Sequence, residues 1–196
     1  MMKTITRTIL SMVILGLLAV SPALAQQEYR IAKDGFTITI KGTSNVHDWT
    51  MEAEQVTGSA VAKLGDNGLK GIDKASITVR AKKLESGKGI MNRKTYDALE
   101  TDDHPSITFE LISVSNLKST GNKFSGKATG TMKIAGESSV MSIPFEGTIV
   151  DGSTFKITGD FPLVMSDFGI DPPTAMLGSL KTGDKVTLKY EFTFNQ

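Results

Sequence analysis

Apolar residues occupy every second position in the last strand-like segment of the chain, residues 186–194. The apolar positions are Val186, Leu188, Tyr190, Phe192 and Phe194, and the positions between them are Thr187, Lys189, Glu191 and Thr193. Because side chains alternate between the two faces of a strand, this pattern predicts one apolar face and one polar face. Such an apolar stripe must be covered, either by the protein's own side chains or by a molecule that the protein binds.

The same alternation recurs along most of the chain. It predicts eight or nine strands, with the division between the second and third left open: 29–40, 45–54, 56–64, 72–82, 106–117, 123–135, 139–150, 153–165 and 184–195. The turn sequences between these runs supply the positive φ that tight hairpins need: Asp66-Asn67-Gly68, Gly121-Asn122, Gly136-Glu137 and Asp151-Gly152. Long, one-sided antiparallel strands in series predict an all-β fold, either a barrel or a strongly curled sheet.

Two segments interrupt the alternation. Residues 90–99 predict a short helix with mixed faces. Residues 171–178 predict a helical turn, because Asp171 is a good cap, Pro172 suits the first helical position and Gly178 suits the end.

The first 25 residues predict a secretory signal peptide. Lys3 and Arg7 form a basic start, residues 9–20 are apolar, and Ala23-Leu24-Ala25 is an A-x-A cleavage site. The apolar run is short for a membrane span, so no permanent membrane anchor is expected. We therefore expect a single domain over residues 26–196 in a periplasmic or secreted location.

Composition excludes several kinds of partner and site. The chain has no cysteine, which excludes disulfides, thiol catalysis and a lipid-modified cysteine. Its 22 basic and 21 acidic residues are nearly balanced, so no strong field would attract nucleic acid. The oligomeric state stays open, and a homodimer is compatible with the sequence.

Catalytic and metal-binding motifs are absent from the sequence. His47 and His104 are its only histidines, and neither has the spacing of a metal motif. No G-x-S-x-G nucleophile motif occurs either. We expect a protein without enzymatic activity, cofactor or metal, and a histidine-dependent metal enzyme is the least favoured hypothesis.

The residue pattern alone leaves the interior of the barrel undecided. Trp49, the only tryptophan, either plugs one end or lines a ligand cavity. The segment 93–108 is either a surface helix with a turn or a lid over the barrel mouth, with Met91, Tyr96 and Leu99 pointing inward. The whole protein is accordingly either a filled structural or interaction module or a hollow binding protein.

Several blocks of sequence resemble the YceI-like family of exported lipid-binding proteins. They are residues 91–99 followed by 103–109, similar to the family's helix and its F-P-x-I-x-F entry into a strand, then 126–136, 166–170 and 183–188. Their order and spacing carry the resemblance, which covers the chain after residue 25. The chain departs from the family pattern at Lys94, where an acidic residue is frequent, and over residues 42–49.

The resemblance implies an eight-stranded antiparallel lipocalin-like barrel. It also implies an elongated apolar cavity for a long-chain isoprenoid or fatty amphiphile, and no catalysis. The inward faces of the strands and the resemblance together give the candidate ligand contacts, which are Phe36, Trp49, Met91, Tyr96, Leu99, Phe109, Met132, Phe145, Phe161 and Phe168.

Overall fold

The computed structural model describes residues 26–65 and 68–196. The predicted signal peptide over residues 1–25 lies outside the described residues, as does the Asp66-Asn67 part of one predicted hairpin turn. Within the described ranges, no helix has the length and apolar character needed to cross a bilayer.

Strands make up most of the described chain, with one helix and three short 3-10 turns. In chain order the elements are β1 (Gln27–Ser44), β2 (Trp49–Ala53), β3 (Val56–Gly65), β4 (Gly68–Arg80), β5 (Leu84–Glu85), α1 (Gly89–Ala98), β6 (Ser106–Thr120), β7 (Lys123–Ile134), β8 (Glu137–Asp151), β9 (Thr154–Val164), β10 (Thr174–Ala175) and β11 (Leu180–Asn195). The 3-10 turns lie at Ala81–Lys83, Met165–Phe168 and Met176–Gly178.

Eight of these strands close into an antiparallel barrel. Their order is β1, β3, β4, β6, β7, β8, β9 and β11, and pairing between β11 and β1 completes the ring. The stripe on β11 faces inward, and its pairing places Leu188 opposite Ile40 of β1 and Phe161 of β9. Apolar stripes from the other strands face it across the interior, so the predicted eight-stranded barrel is confirmed.

β1 is longer than the sequence predicted because it pairs with two different strands, β3 and β2, along one of its edges. Its first part, Gln27–Arg30, pairs with β3, and residues 39–42 pair with β2. A bulge between Ile31 and Phe36 bends the strand between these two parts. The short strands β2 and β5 therefore extend from the edge of the barrel, and α1 follows β5 directly.

Two local predictions from the sequence were wrong in detail. The second strand begins at Trp49 rather than at residue 45, because the Ser44 hydroxyl accepts hydrogen bonds from the amides of Val46 (3.2 Å) and His47 (3.1 Å) and makes a turn. His47 consequently lies in a loop and not on a strand. The helical turn expected over 171–178 is confined to Met176–Gly178, since Thr174–Ala175 pairs with β11.

Aromatic residues fill the end of the barrel where the hairpins β6–β7 and β8–β9 turn. Phe155 has no exposed surface and stacks on Phe194 with ring centroids 5.0 Å apart. Tyr29 meets Phe155 edge to face at 5.0 Å, and Phe124 does so at 6.3 Å. This cluster, here called the floor, closes that end of the barrel and supplies a tightly packed core.

The floor should carry a large share of the stability. Phe155→Ala is expected to lower the free energy of unfolding by ~3–5 kcal/mol, because it leaves a cavity among rings that cannot collapse into it. Urea denaturation followed by circular dichroism measures the change. Val150→Ala serves as the control. Val150 lies at the floor end of β8 and is 56% exposed, so this change should alter stability by less than about 0.5 kcal/mol. Equal stability of the two variants would contradict a closed floor.

Candidate functional site

A cavity of about 690 Å³ occupies the barrel above the floor. Its walls are almost wholly apolar, and its volume lies in the range of about 300–1,000 Å³ that is typical of ligand sites. All five residues of the β11 stripe line it, together with inward residues of the other barrel strands such as Ile38, Ile77, Phe109, Met132, Ile143 and Phe161. The barrel is therefore hollow and is not filled by its own side chains.

The cavity opens at the end opposite the floor. The lining residues that are exposed all lie in the 45–48 loop, in or next to α1, or in β10: His47, Lys88, Gly89, Ile90, Lys94 and Thr174. Hydrogen bonds join the 45–48 loop to the start of β11, since the Asn45 side chain donates to the Ser179 carbonyl (2.8 Å) and accepts from the Lys181 amide (2.9 Å). We call this opening the mouth.

Inward-facing glycines lie against aromatic rings on neighbouring strands. A Cβ at Gly130 would lie 2.4 Å from the Phe109 ring, and one at Gly147 would lie 2.2 Å from the Phe124 ring. The same close approach joins three further pairs, Gly42 with Trp49, Gly126 with Phe145 and Gly159 with Tyr190. Each ring lies where a side chain would otherwise stand. Four of these rings therefore rest along the cavity wall instead of projecting across it, whereas Phe124 packs in the floor.

The polar atoms of two aromatic residues on the wall are satisfied by backbone carbonyls. The Trp49 indole donates to the Thr43 carbonyl (3.0 Å), and the Tyr190 hydroxyl donates to the Pro144 carbonyl (3.2 Å). Burial, with a smaller contribution from Asp160, raises the pKa of Tyr190 above its usual value, so this residue stays neutral. The wall therefore offers an apolar ligand no unsatisfied polar group at these two positions.

One side of α1 covers the cavity at the mouth. Met91, Lys94, Thr95 and Ala98 follow one another at helical spacing and all line the cavity, as does Leu99 just beyond the helix. The sequence hypothesis of a helix placed over the barrel mouth is consistent with this placement.

A group of polar side chains on the other side of α1 holds the helix to β5. Asn92 is 8% exposed, donates to the Glu85 carboxylate and accepts from the Ser86 amide (2.9 Å). The Tyr96 hydroxyl donates to the same carboxylate (2.8 Å). Partial burial and this carboxylate together raise the pKa of Tyr96 to about 12. Of the other helices and strands, β5 is the one that α1 contacts most, so these hydrogen bonds hold the helix in place.

Seven of the ten residues predicted as ligand contacts line the cavity, and the structure brings them together. They are Trp49, Met91, Leu99, Phe109, Met132, Phe145 and Phe161. Phe36 shares their inward parity but lies at the bulge of β1, packed against the core. Tyr96 faces β5 through its hydroxyl, and Phe168 is buried in a 3-10 turn against β8 and β11. Phe36 and Phe168 do not line the cavity because one lies at a strand bulge and the other in a 3-10 turn.

Sequence reasoning missed the glycines of the wall and the lysines of the mouth. The glycines share the parity of the apolar residues on their strands, for example Gly126 and Gly130 beside Ala128 and Met132 on β7. That parity was a usable signal, because a glycine inside a strand marks a close approach of another group. Lys88 and Lys94 gave no such signal, since only the placement of α1 brings them to the cavity.

The two histidines do not form a common site. His47 lines the mouth, whereas His104 packs against Gly136 and lies 3.8 Å from Glu100, to which it pairs when protonated. In the described ranges, no group of three or more histidine and acidic side chains is placed to hold a metal ion.

Comparison with known protein families shows which family this chain belongs to. Residues 27–194 match the YceI-like domain. The chain belongs to the YceI-like family. A comparison with proteins of curated function found no match.

Solved structures share this YceI-like fold at low sequence identity. A polyisoprenoid binding domain from Saccharophagus degradans has a TM-score of 0.65 at 10% identity, covering 87% of this chain and 99% of that one. BcnA from Burkholderia cenocepacia has a TM-score of 0.62 at 16% identity, with 81% and 95% covered. The YceI protein of Campylobacter jejuni has a TM-score of 0.54 at 20% identity, with 74% and 84% covered.

The pairing of glycine with an aromatic ring can be tested at Gly130. Gly130→Ala is expected to lower the free energy of unfolding by ~1–3 kcal/mol, because the new methyl overlaps both the Phe109 ring and the Glu110 carbonyl. Chemical denaturation measures the change, and a crystal structure of the variant should show the ring displaced into the cavity.

Gly152→Ala is the matched control, since a Cβ there would meet no atom within 4 Å. This variant should be unchanged or stabilised by ~0.4–1 kcal/mol. A Gly130→Ala protein as stable as wild type, with Phe109 unmoved, would contradict the proposed role of the glycines.

Proposed function

We propose that this YceI-like protein binds a long-chain isoprenoid or similar fatty amphiphile in its barrel and carries or sequesters it without catalysis. The apolar tail lies along the cavity towards the floor, and the head group stays at the mouth. The observation that carries the proposal is the cavity itself, about 690 Å³ in volume, apolar along its walls and open at one end. Of the predicted contacts, the seven that line the cavity are proposed to touch the tail.

The chemistry of the walls suits a chain without polar groups. Burial of an alkyl chain gains about 0.8 kcal/mol for each CH₂, so a buried stretch of about ten carbons gains roughly 8 kcal/mol before the costs of association. Such a ligand needs few specific polar contacts. A polar or compact substrate would instead leave its hydrogen-bonding groups unsatisfied against these walls.

The family relationship supports the same class of ligand. One structure with this fold is a polyisoprenoid binding domain, by its description. The similarity covers nearly all of that domain, so the two barrels correspond along their full length.

We also propose that the protein acts in the periplasm or outside the cell. The support is the basic, apolar and A-x-A pattern over residues 1–25, which is typical of a secretory signal peptide. Mass spectrometry of the protein from fractionated cells should find its first residue at Gln26 in the exported fraction.

A substitution that fills the cavity should abolish binding. Ala128 lines the wall midway along β7, so Ala128→Phe places a ring in the path of the tail. We expect the affinity for a polyprenol, measured by equilibrium transfer from neutral phosphatidylcholine vesicles, to fall at least about tenfold. Native mass spectrometry should show a co-purifying lipid on the wild-type protein and none on the variant.

Thr129→Phe is the control, because residue 129 points to the opposite face of the same strand, where its hydroxyl approaches that of Ser142. Its affinity for polyprenol should equal that of wild type. The proposal fails if wild-type protein is purified without lipid and also takes up no polyprenol from the vesicles.

A further inference from the structure

Three large apolar side chains are exposed to solvent around the mouth. They come from three separate segments, Val46 from the 45–48 loop, Ile90 from the first turn of α1 and Leu177 from the 3-10 turn before β11. Val46 is 66% exposed, Ile90 is 67% exposed and Leu177 is fully exposed. Single apolar residues on a surface are common, but each of these three lies in or between residues that line the same opening. We call the three residues the rim.

The segments that carry Val46 and Leu177 are tied to each other. The residue before Val46, Asn45, binds the Ser179 carbonyl and the Lys181 amide through its side chain, at 2.8 and 2.9 Å. Its backbone amide also donates to the Lys181 carbonyl, at 3.1 Å. Two rim residues therefore stand on linked segments, and α1 contributes the third.

The remaining exposed large apolar residues of the described chain lie elsewhere. They are Ile112 on β6 and Val140 and Val150 on β8. None of the three lines the cavity or belongs to a segment of the mouth. These strand residues therefore provide a comparison for the rim within the same molecule.

Basic residues surround the rim. Residues 45–48, 88–94 and 174–181 contain four basic side chains and one acidic side chain, which are Lys88, Arg93, Lys94, Lys181 and Asp48. The four basic side chains are exposed, and none of them takes part in the ion pairs found within 4.0 Å among the described residues. Since the charge of the whole chain is nearly balanced, this excess of positive charge is local to the mouth.

Exposed apolar side chains with basic neighbours suit the surface of an anionic bilayer. The apolar side chains gain free energy by entering the boundary between head groups and acyl chains, and the basic side chains are attracted to the lipid phosphates. A protein partner would need a continuous, closely packed contact area. The rim instead encloses the opening of a cavity, to which fluid lipid conforms more readily than a folded surface does.

We infer that the rim docks this protein, mouth first, on the surface of a bilayer that contains anionic phospholipids. Val46, Ile90 and Leu177 enter the boundary region of the bilayer, and the neighbouring basic residues contact phosphate groups. Docking brings the cavity opening against the bilayer, so an apolar molecule passes between them without crossing water. The attachment is reversible, because three inserted side chains make only a small apolar contact.

This inference goes beyond the proposed function and rests on it only for the molecule that is exchanged. Docking itself is measured by sedimentation with sucrose-loaded vesicles. Protein from the exported fraction is mixed with vesicles of phosphatidylcholine that contain about 30% phosphatidylglycerol or none. We expect sedimentation with the anionic vesicles at low ionic strength, and affinity at least about tenfold lower for the neutral vesicles or in high salt.

The apolar part of the rim is tested by Val46→Ser with Leu177→Asn. Asparagine suits the positive φ of 55° at residue 177, so the turn should be kept. The affinity of this double variant for anionic vesicles should fall about tenfold. Its affinity for polyprenol in detergent solution should equal that of wild type, because neither residue lines the cavity.

Ile112→Ser with Val150→Ser is the matched control. It also removes two exposed apolar side chains, which are 59% and 56% exposed and lie outside the segments of the mouth. This control should sediment with anionic vesicles as wild type does.

The outcomes separate docking from lipid binding. Wild-type protein that does not sediment with anionic vesicles, or that sediments equally with neutral ones, overturns the inference, as does a rim variant that sediments like wild type. A wild-type dimer that ignores vesicles and becomes a monomer in the rim variant makes the rim a contact between copies and also overturns it. Protein that docks but takes up no polyprenol overturns the proposed function alone, and uptake of polyprenol without docking overturns the inference alone.

Discussion

The close approach of inward glycines to aromatic rings is the constraint on which the hollow interior depends. An eight-stranded barrel is just wide enough either to be filled by side chains or to hold one slim ligand. Rings such as Phe109 and Phe145 are large enough to span much of that width. Because Gly130 and Gly126 have no side chain, the rings can lie along the wall and leave the axis free. The missing side chains of these glycines on the wall therefore leave open space along the barrel axis.

The two ends of the barrel are held together by different interactions. At the floor, Phe155 and Phe194 stack on each other and are buried, so packing there stabilises the closed sheet. At the mouth, α1 is held largely by hydrogen bonds from Asn92 and Tyr96, and its apolar side faces the cavity. Elements with little apolar packing open at low free-energy cost, which suits the end through which the proposed ligand would enter.

The alternation of residues determined most of what could be predicted. Strands obey a period of two, so the β11 stripe and its equivalents could be assigned to one interior, and most residues on regular strands reached the cavity wall. The prediction failed where the period is interrupted, at the bulge before Phe36 and at the 3-10 turn that ends with Phe168. Whether the stripes touch or leave space depends on pairing between strands. That pairing places each glycine opposite its ring or, for Gly130 and Phe109, diagonally beside it, and no local pattern contains it.

A cavity with one closed end discriminates between ligands by the length of their apolar chain. A linear apolar chain that enters between α1 and the 45–48 loop stops at the stacked rings of Phe155 and Phe194. Up to that depth each further methylene gains about 0.8 kcal/mol, and beyond it the excess stays in water and gains nothing. Affinity should therefore rise with chain length and then level off, because the floor limits how much of the chain can be buried.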